Sequence, residues 1–239
     1  MIDIHSHIPD EKIITILATE KPDEWLKAFS FLPNNLPAIG LHPNFLSSLE
    51  NVDDYIFNFE REVDKFFAIS EVGLDFKSKN DNQIHLQIKI LTKIMEIAEK
   101  HNKVIIVHNR KSIEKFLELR PSFKVRTIYH NYEGNLSQLN KIIESGDFIS
   151  ISTSYLRFKK DNIIKKVPLE NLFFETDSPA LSPFDSPNKP ENVRLIMEYF
   201  SKLRNISIEY LENQIRSNFV DLFSKTSSAY FLHNLDLYK

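Results

Sequence analysis

The stretch Val104-Ile105-Ile106-Val107-His108 has four consecutive β-branched apolar residues and ends at a histidine. A short run of this kind is typical of a parallel strand that is buried on both faces. Longer segments with helical spacing alternate with such runs, and the clearest of them is the apolar stripe from Gln87 to Ala98. The other strand-like runs are Met1–His5, Ile13–Ala18, Leu36–Leu41, Phe67–Val72, Val125–His130, Phe148–Ser152 and Leu172–Thr176.

Eight predicted strands that alternate with helices over 239 residues predict an α/β protein with a single-domain TIM (β/α)8 barrel, for which about 250 residues are typical. An open, doubly wound sheet is the alternative. We place the barrel at residues 1–226 and a C-terminal tail at 227–239, because the patterning weakens after Ser224.

The first two predicted strands are joined only by Ser6–Lys12. Parallel neighbours usually need a crossover of about a dozen residues or more, and that crossover is usually a helix. We therefore predict a shortened first β-to-β crossover that consists of a loop. The alternative is that Ile13–Ala18 is itself helical and that one strand lies elsewhere.

The composition excludes several kinds of site. The chain has no cysteine, which rules out disulfides, thiolate zinc sites, iron–sulfur clusters and cysteine nucleophiles. Any metal site must be built from His, Asp and Glu. The net charge is −3, so no global basic field indicates a nucleic-acid partner. We see no signal peptide and no apolar run long enough to span a membrane, and we expect a cytoplasmic monomer without a membrane partner.

Histidines and acids stand at the ends of these runs. In a barrel the carboxyl ends of the strands converge on one mouth. A single histidine at a strand end is as often a hydrogen-bonded core residue, but six such residues at ends of the same polarity indicate a metal site for Zn, Mn or Mg. Six ligands are too many for one open catalytic zinc, whereas two divalent metal ions that share a carboxylate fit the number. The six residues are His5, His7, Glu71, His108, His130 and Asp177.

Two further residues face the same mouth. His42 ends the third run, where it is as well suited to stabilising a turn as to touching substrate. Glu175 shares strand parity with Asp177, which predicts that it points into the barrel as a partner of the site.

Several ordered segments of the chain resemble the TatD family of metal-dependent hydrolases, from residue 1 to about residue 200. The segments are Asp3-Ile4-His5-Ser6-His7, Gly40-Leu41-His42-Pro43, Glu71-Val72-Gly73-Leu74-Asp75, His108-Asn109-Arg110, His130-Asn131-Tyr132-Glu133-Gly134 and Glu175-Thr176-Asp177-Ser178-Pro179.

This resemblance implies an amidohydrolase-like TIM barrel with a two-metal centre. His5, His7 and Asp177 would hold the first ion, His108 and His130 the second, and Glu71 would bridge them. Members of the family are typically deoxyribonucleases that work from the 3′ end of single-stranded DNA. The chain departs from the family in the missing helix after His-x-His and in Lys189, where the family usually has Glu.

We therefore expect a nuclease or phosphodiesterase similar to a 3′–5′ exodeoxyribonuclease. Coordination would activate a water molecule, and Asp177 would act as the general base. Arg110 is the candidate phosphate clamp, with an ordinary salt bridge as the alternative.

Loop residues after the strands give modest support to a nucleic-acid substrate. Cations would rim the mouth, and three aromatic residues could stack bases. The cations are Lys77, Lys79, Arg110, Lys111, Arg157, Lys159, Lys160 and Lys189, and the aromatic residues are Tyr132, Tyr155 and Phe184.

Two other functions use the same residues. An amide or ester hydrolase (a deacylase) on a small or tRNA-linked substrate would use the same hydroxide on a carbonyl carbon. A non-catalytic binding protein would keep the metals for folding alone. Asp177 argues against that last function, because a structural site does not need an extra carboxylate at an open position.

Overall fold

Eight parallel strands, paired in chain order, form one sheet in the computed structural model, which describes residues 1–31, 33–49, 51–77, 79–158, 161–233 and 235. The strands in this part of the chain are β1 (Ile2–Ser6), β2 (Ile14–Leu17), β3 (Asn35–Ile39), β4 (Ala68–Asp75), β5 (Ile105–Arg110), β6 (Thr127–Tyr129), β7 (Phe148–Ser152) and β8 (Leu172–Glu175). Each corresponds to one of the predicted runs.

The two edges of the sheet meet at the carboxyl end of β1 and β8. The Asp177 N–H donates to the His5 carbonyl at 3.0 Å, and the His7 N–H donates to the Ser178 carbonyl at 2.8 Å. The sheet is therefore nearly closed into a barrel. This confirms the predicted TIM barrel and excludes the open, doubly wound sheet.

Helices cover the outside of the barrel. Those in the described part of the chain are α1 (Pro22–Ala28), α2 (Val52–Glu62), α3 (Asp81–Lys100), α4 (Ile113–Leu119), α5 (Leu136–Glu144), α6 (Asp161–Ile164), α7 (Val193–Arg204), α8 (Ile208–Phe223) and α9 (Ala229–Leu232). The helix α3 begins at a capping box formed by Asn80 and Gln83, and it buries the predicted stripe from Gln87 to Ala98. None of the helices in the described residues is long and apolar enough to cross a membrane.

The predicted short first crossover is confirmed. Residues 7–13 are all described and none of them is helical, yet β1 and β2 pair in parallel with Ile2 opposite Ile14. The Asp10 carboxylate accepts the backbone N–H groups of Lys12 at 2.7 Å and Ile13 at 3.0 Å, which turns the chain back without a helix.

An aromatic cluster packs the last two helices, α8 and α9, against the start of β4. The ring of Phe67 packs on Phe223 of α8 at a centroid distance of 4.3 Å and on Phe231 of α9 at 5.6 Å. Residue 231 belongs to the predicted tail 227–239, which is described as far as 233 and at 235. The boundary at residue 226 stays a prediction.

Candidate metal centre

Glu71 lies at the centre of the barrel mouth, and its two carboxylate oxygens face different histidines. Oε1 lies 2.6 Å from His108 Nδ1 and 3.2 Å from His130 Nε2. Oε2 lies 3.4 Å from His7 Nε2 and 3.9 Å from His5 Nε2. All eight residues of β4 are buried, so the strand holds this carboxylate inside the barrel. One side chain thus lies between His5 and His7 on one side and His108 and His130 on the other.

The charges of this cluster depend on one another. Burial opposes ionisation of Glu71, but His108 and His130 hold the pKa of its carboxyl group well below the usual range. Burial likewise opposes protonation of His130, yet Glu175 and Glu71 raise the pKa of this histidine well above its usual value. For His5, burial dominates and lowers the pKa well below its usual value. The mouth therefore holds an ionised carboxylate that attracts cations.

Asp177 places a second carboxylate next to His5 and His7, the two histidines from the end of β1. Its Oδ1 lies 3.3 Å from His7 Nε2 and 3.6 Å from His5 Nε2. The side chain of Asp177 is 16% exposed, compared with 5% for Glu71, so Asp177 is the more open of the two carboxylates. Its backbone has a φ of 55°, a left-handed conformation that Asp and Asn tolerate better than most residues.

His42 uses both of its ring nitrogens. Nδ1 accepts the Asn44 backbone N–H at 3.1 Å and so caps the short 3₁₀ turn Pro43–Ser48, which is the turn-stabilising role. Nε2 lies 3.5 Å from Glu71 Oε1. Burial lowers the pKa of His42 to about 4, so the ring is neutral at neutral pH. A contact between His42 and substrate stays a prediction.

Asp3 supports the site from below and was missed in the sequence analysis. Its carboxylate accepts the Thr176 N–H at 3.0 Å, the Thr176 hydroxyl at 2.5 Å and the His5 N–H at 3.3 Å. These bonds tie β1 to the end of β8, next to Asp177. The sequence spacing could have predicted this position, because Asp3 lies two residues before His5 and therefore on the same face of the strand.

Two more buried carboxylates lie behind the histidines. Glu175 points into the barrel as its parity with Asp177 predicts, and its Oε1 lies 3.4 Å from His130 Nδ1. Asp75 was missed, although it is on the same face of β4 as Glu71. Its Oδ2 lies 3.6 Å from His108 Nε2.

Open space adjoins the cluster on the solvent side. A cavity of about 240 Å³ is lined by Arg110, His108, His130 and Asp177 among others. A wider cleft of about 760 Å³ shares Asn109 with this cavity and continues past α4 and α5. Arg110, the predicted phosphate clamp, therefore borders the space next to the histidines.

The predicted base-stacking residues divide into two groups. Tyr132 and Tyr155 are 1% and 3% exposed, so the prediction that they stack bases is wrong. Their loops fold back on the barrel, where the Tyr132 hydroxyl donates to the Asn135 carbonyl and the Tyr155 hydroxyl donates to the Tyr132 carbonyl. Phe184 is 53% exposed and remains accessible.

Most of the predicted rim cations reach solvent. Arg110, Lys77, Lys111 and Lys189 are exposed, and Lys79 is half-buried. Arg157 is exposed and pairs with Asp185 at 3.2 Å. Lys159 and Lys160 lie outside the described residues.

Comparisons with known proteins agree on one family. The family model of the TatD-related DNases matches residues 11–224. An uncharacterized metal-dependent hydrolase of Methanocaldococcus jannaschii is 31% identical over 191 residues, which cover 78% of this chain and 75% of the relative. The deoxyribonuclease TATDN3 of Homo sapiens is 29% identical over 204 residues, which cover 80% of this chain and 74% of the relative.

Two solved structures support the fold. The crystal structure of YJJV, a TatD homologue from Escherichia coli, matches with a TM-score of 0.82 at 23% identity and covers 93% of this chain and 97% of that chain. A TatD-family hydrolase of Entamoeba histolytica matches with a TM-score of 0.76 at 22% identity, covering 89% of this chain and 85% of that chain.

Proposed function

Since the chain belongs to the TatD-related DNase family of metal-dependent hydrolases, we propose that it is a 3′–5′ exodeoxyribonuclease that acts on single-stranded DNA with two divalent metal ions. The observation that carries this proposal is the carboxylate of Glu71. Its Oε2 faces His5 and His7, whereas its Oε1 faces His108 and His130, with His42 at 3.5 Å. A carboxylate between two sets of nitrogen ligands is suited to bridging two ions.

The donor set fits divalent metal ions. Imidazole nitrogen and carboxylate oxygen suit Zn, Mn or Mg. Three of the ligand atoms, one each from His5, His7 and Asp177, lie within 4.8 Å of one another. His5 Nε2 is buried and has no hydrogen-bond partner among the described residues, which leaves its lone pair free for an ion. His5, His7 and Asp177 would hold one ion, His108 and His130 the other, and Glu71 would bridge them.

The residues at the mouth then have distinct tasks. Bound ions would supply a nucleophilic hydroxide at neutral pH and neutralise the charge that develops on phosphate. Asp177 lies at the open side of the cluster, where its carboxylate takes the proton of the attacking water and later delivers it to the leaving oxygen. Arg110, on the rim of the adjoining cavity, binds the non-bridging phosphate oxygens.

The shape of the mouth suits a strand of nucleic acid. The cavity next to the histidines has room for a phosphate group, and the wider cleft that shares Asn109 with it would take the flanking nucleotides. Exposed Lys111 lines this cleft, and exposed Phe184 follows β8 on the same side of the barrel. A cation and an aromatic ring are the groups that bind the backbone and the bases of single strands.

The test is cleavage of a single-stranded oligonucleotide with a 3′ label by metal-stripped protein, with and without Mn, Mg or Zn. We expect metal-dependent release of single nucleotides from the 3′ end and slower loss of a 5′ label. Asp177→Asn should keep the fold, since Asn tolerates the same left-handed backbone. It should keep most of the bound metal and lower turnover by about 10²–10⁴-fold, the usual contribution of a general base.

Asp185→Asn is the matched control, because this exposed carboxylate lies in the same loop. It should cleave as fast as wild type. Activity near the wild-type level in Asp177→Asn would refute the assigned role of that residue. If protein that still binds two ions cuts neither DNA nor RNA with any metal, the result would favour an amide or ester hydrolase. Assays with carbonyl-ester substrates would then test that activity.

A further inference from the structure

Two of the five histidines around Glu71 have a buried carboxylate on the far side of the ring. His108 turns Nδ1 toward Glu71 and Nε2 toward Asp75 Oδ2 at 3.6 Å. His130 turns Nε2 toward Glu71 and Nδ1 toward Glu175 Oε1 at 3.4 Å. The outward nitrogens of both rings are buried and have no hydrogen-bond partner among the described residues, so these carboxylates are the acceptors that face them. Each ring therefore lies between Glu71 and a second carboxylate.

His5 and His7 are supported differently. The outward Nδ1 of His5 lies 3.1 Å from the neutral hydroxyl of Ser70. The outward Nδ1 of His7 is buried without a hydrogen-bond partner among the described residues. Among the described residues, His108 and His130 are the only histidines around Glu71 with a carboxylate on the far side of the ring.

The two backing carboxylates are themselves held in place. Asp75 exchanges hydrogen bonds with Gln87, whose side chain accepts the Asp75 N–H at 2.8 Å and donates to the Asp75 carbonyl at 3.0 Å. The Lys77 N–H donates to Asp75 Oδ1 at 2.9 Å, which leaves Oδ2 for His108. Glu175 is fully buried, and its Oε2 accepts the Ser150 hydroxyl, which leaves Oε1 for His130.

We propose that Asp75 and Glu175 are positioning residues that control one of the two metal positions, the one formed by His108 and His130, without controlling the other. A carboxylate behind a ligating imidazole keeps the proton on the outward nitrogen, orients the ring and makes the inward nitrogen a better ligand. Loss of such a partner typically costs about 10–100-fold in metal affinity. The inference rests on the two-ion centre proposed above.

Asp75→Asn is the sharpest variant because the structure determines how the new amide must face. The Lys77 N–H needs an acceptor, so the amide oxygen takes the place of Oδ1 and the amide NH₂ faces His108. An NH₂ group donates a proton to His108 Nε2 and so leaves the ring proton on Nδ1, the nitrogen that faces Glu71. The substitution therefore replaces the acceptor that faces His108 Nε2 by a donor, with little change in side-chain volume.

The experiment titrates metal-free protein with Mn²⁺ and follows binding by calorimetry and the electron paramagnetic resonance of free Mn²⁺. We expect two binding events in wild type. Asp75→Asn should weaken one of them by about 10–100-fold and leave the other unchanged. Ser70→Ala, the matched control behind His5, should weaken only the event that Asp75→Asn leaves intact.

Two readouts separate positioning from general destabilisation. With Zn²⁺ bound, the ¹⁵N resonances of His108 should show its ring proton on Nε2, facing Asp75, in wild type. In Asp75→Asn this N–H faces a second donor, so the Nε2 resonance should shift. In a His108→Ala background, Asp75→Asn should cause no further loss of Mn²⁺ affinity, since its effect passes through that ring.

The outcomes separate this inference from the proposed function. Two events that Asp75→Asn leaves unchanged, or weakens equally, would overturn this inference and leave the two-ion centre standing. Fewer than two events in wild type would overturn both.

Discussion

Replacement of Gly40 by Ala should damage the metal centre through the backbone of β4. A Cβ at residue 40 would lie 2.1 Å from the backbone N of Glu71, 2.3 Å from the carbonyl carbon of Ser70 and 2.4 Å from its oxygen. Since real Cβ contacts below 3.0 Å are essentially never seen, the two segments must separate by about 0.9 Å.

Gly40 has little room to retreat from this clash. Its N–H donates to the Thr19 hydroxyl at 3.1 Å, and its carbonyl accepts the Trp25 indole N–H at 2.9 Å. The displacement therefore falls on Glu71, whose own N–H is bonded to the Thr19 carbonyl at 3.0 Å. A site of this kind must be held within about 0.5 Å of its working geometry, and a misplacement of about 1 Å can cost about 10²-fold in rate.

We expect Gly40→Ala to lose about 1–3 kcal/mol of unfolding free energy and about 10²-fold in metal-dependent phosphodiester cleavage. Gly146→Ala is the control. Gly146 has a φ of 72°, and no neighbouring atom lies within 4 Å of the place that a Cβ would take, so Ala there costs about 1–2 kcal/mol of backbone strain without touching the site. Urea unfolding and initial rates measure both effects. Wild-type activity in Gly40→Ala, or an equal loss in Gly146→Ala, would refute the reasoning.

Three further predictions concern stability. Arg120→Ala removes two 2.7 Å contacts and leaves the buried Asp147 carboxylate without its cation, which should lower the free energy of unfolding by about 3–5 kcal/mol. Arg194→Ala, which breaks an exposed ion pair on a helix, should lower it by about 0.5 kcal/mol or less in the same urea titration. Burial lowers the pKa of Lys103 to about 8 from 10.5, so the unfolded chain binds more protons between these values. The unfolding free energy of wild type relative to Lys103→Met should therefore rise with pH across that window, by up to about 3 kcal/mol, and a flat difference would contradict it. Saturation with Mn²⁺ at about 100 times its dissociation constant should stabilise the native protein by about 2.7 kcal/mol per site in thermal unfolding, and an unchanged midpoint would contradict a folded-state metal centre.

The pattern of the chain predicted the barrel because parallel strands buried on both faces are nearly continuous apolar runs. Val104–His108 corresponds to β5 (Ile105–Arg110), and Phe148–Ser152 corresponds to β7 without any shift. Even the short first crossover could be predicted, since the number of residues between two apolar runs is visible in the sequence. Boundaries moved by one to three residues where a strand continues into polar residues, as β4 does to Asp75.

Side-chain direction limited what could be said about the loops. Tyr132 and Tyr155 follow strands on the mouth side, and nothing in the local sequence indicates that both rings turn inward. The Tyr132 hydroxyl donates to the Asn135 carbonyl in its own loop, whereas the Tyr155 hydroxyl donates to the Tyr132 carbonyl, 23 residues away. No local pattern of the sequence indicates a contact such as the one between Tyr155 and Tyr132.

The sequence by itself determined the candidate ligands of the mouth, because histidines and acids at the carboxyl ends of parallel strands must converge on one side of a barrel. Only the tertiary structure decided which atoms face each other. The two oxygens of Glu71 face different imidazoles, and Asp3, Asp75 and Glu175 lie behind the site. Strand parity places a side chain on a face, but the ring nitrogen that meets a given carboxylate depends on the register and closure of the whole barrel.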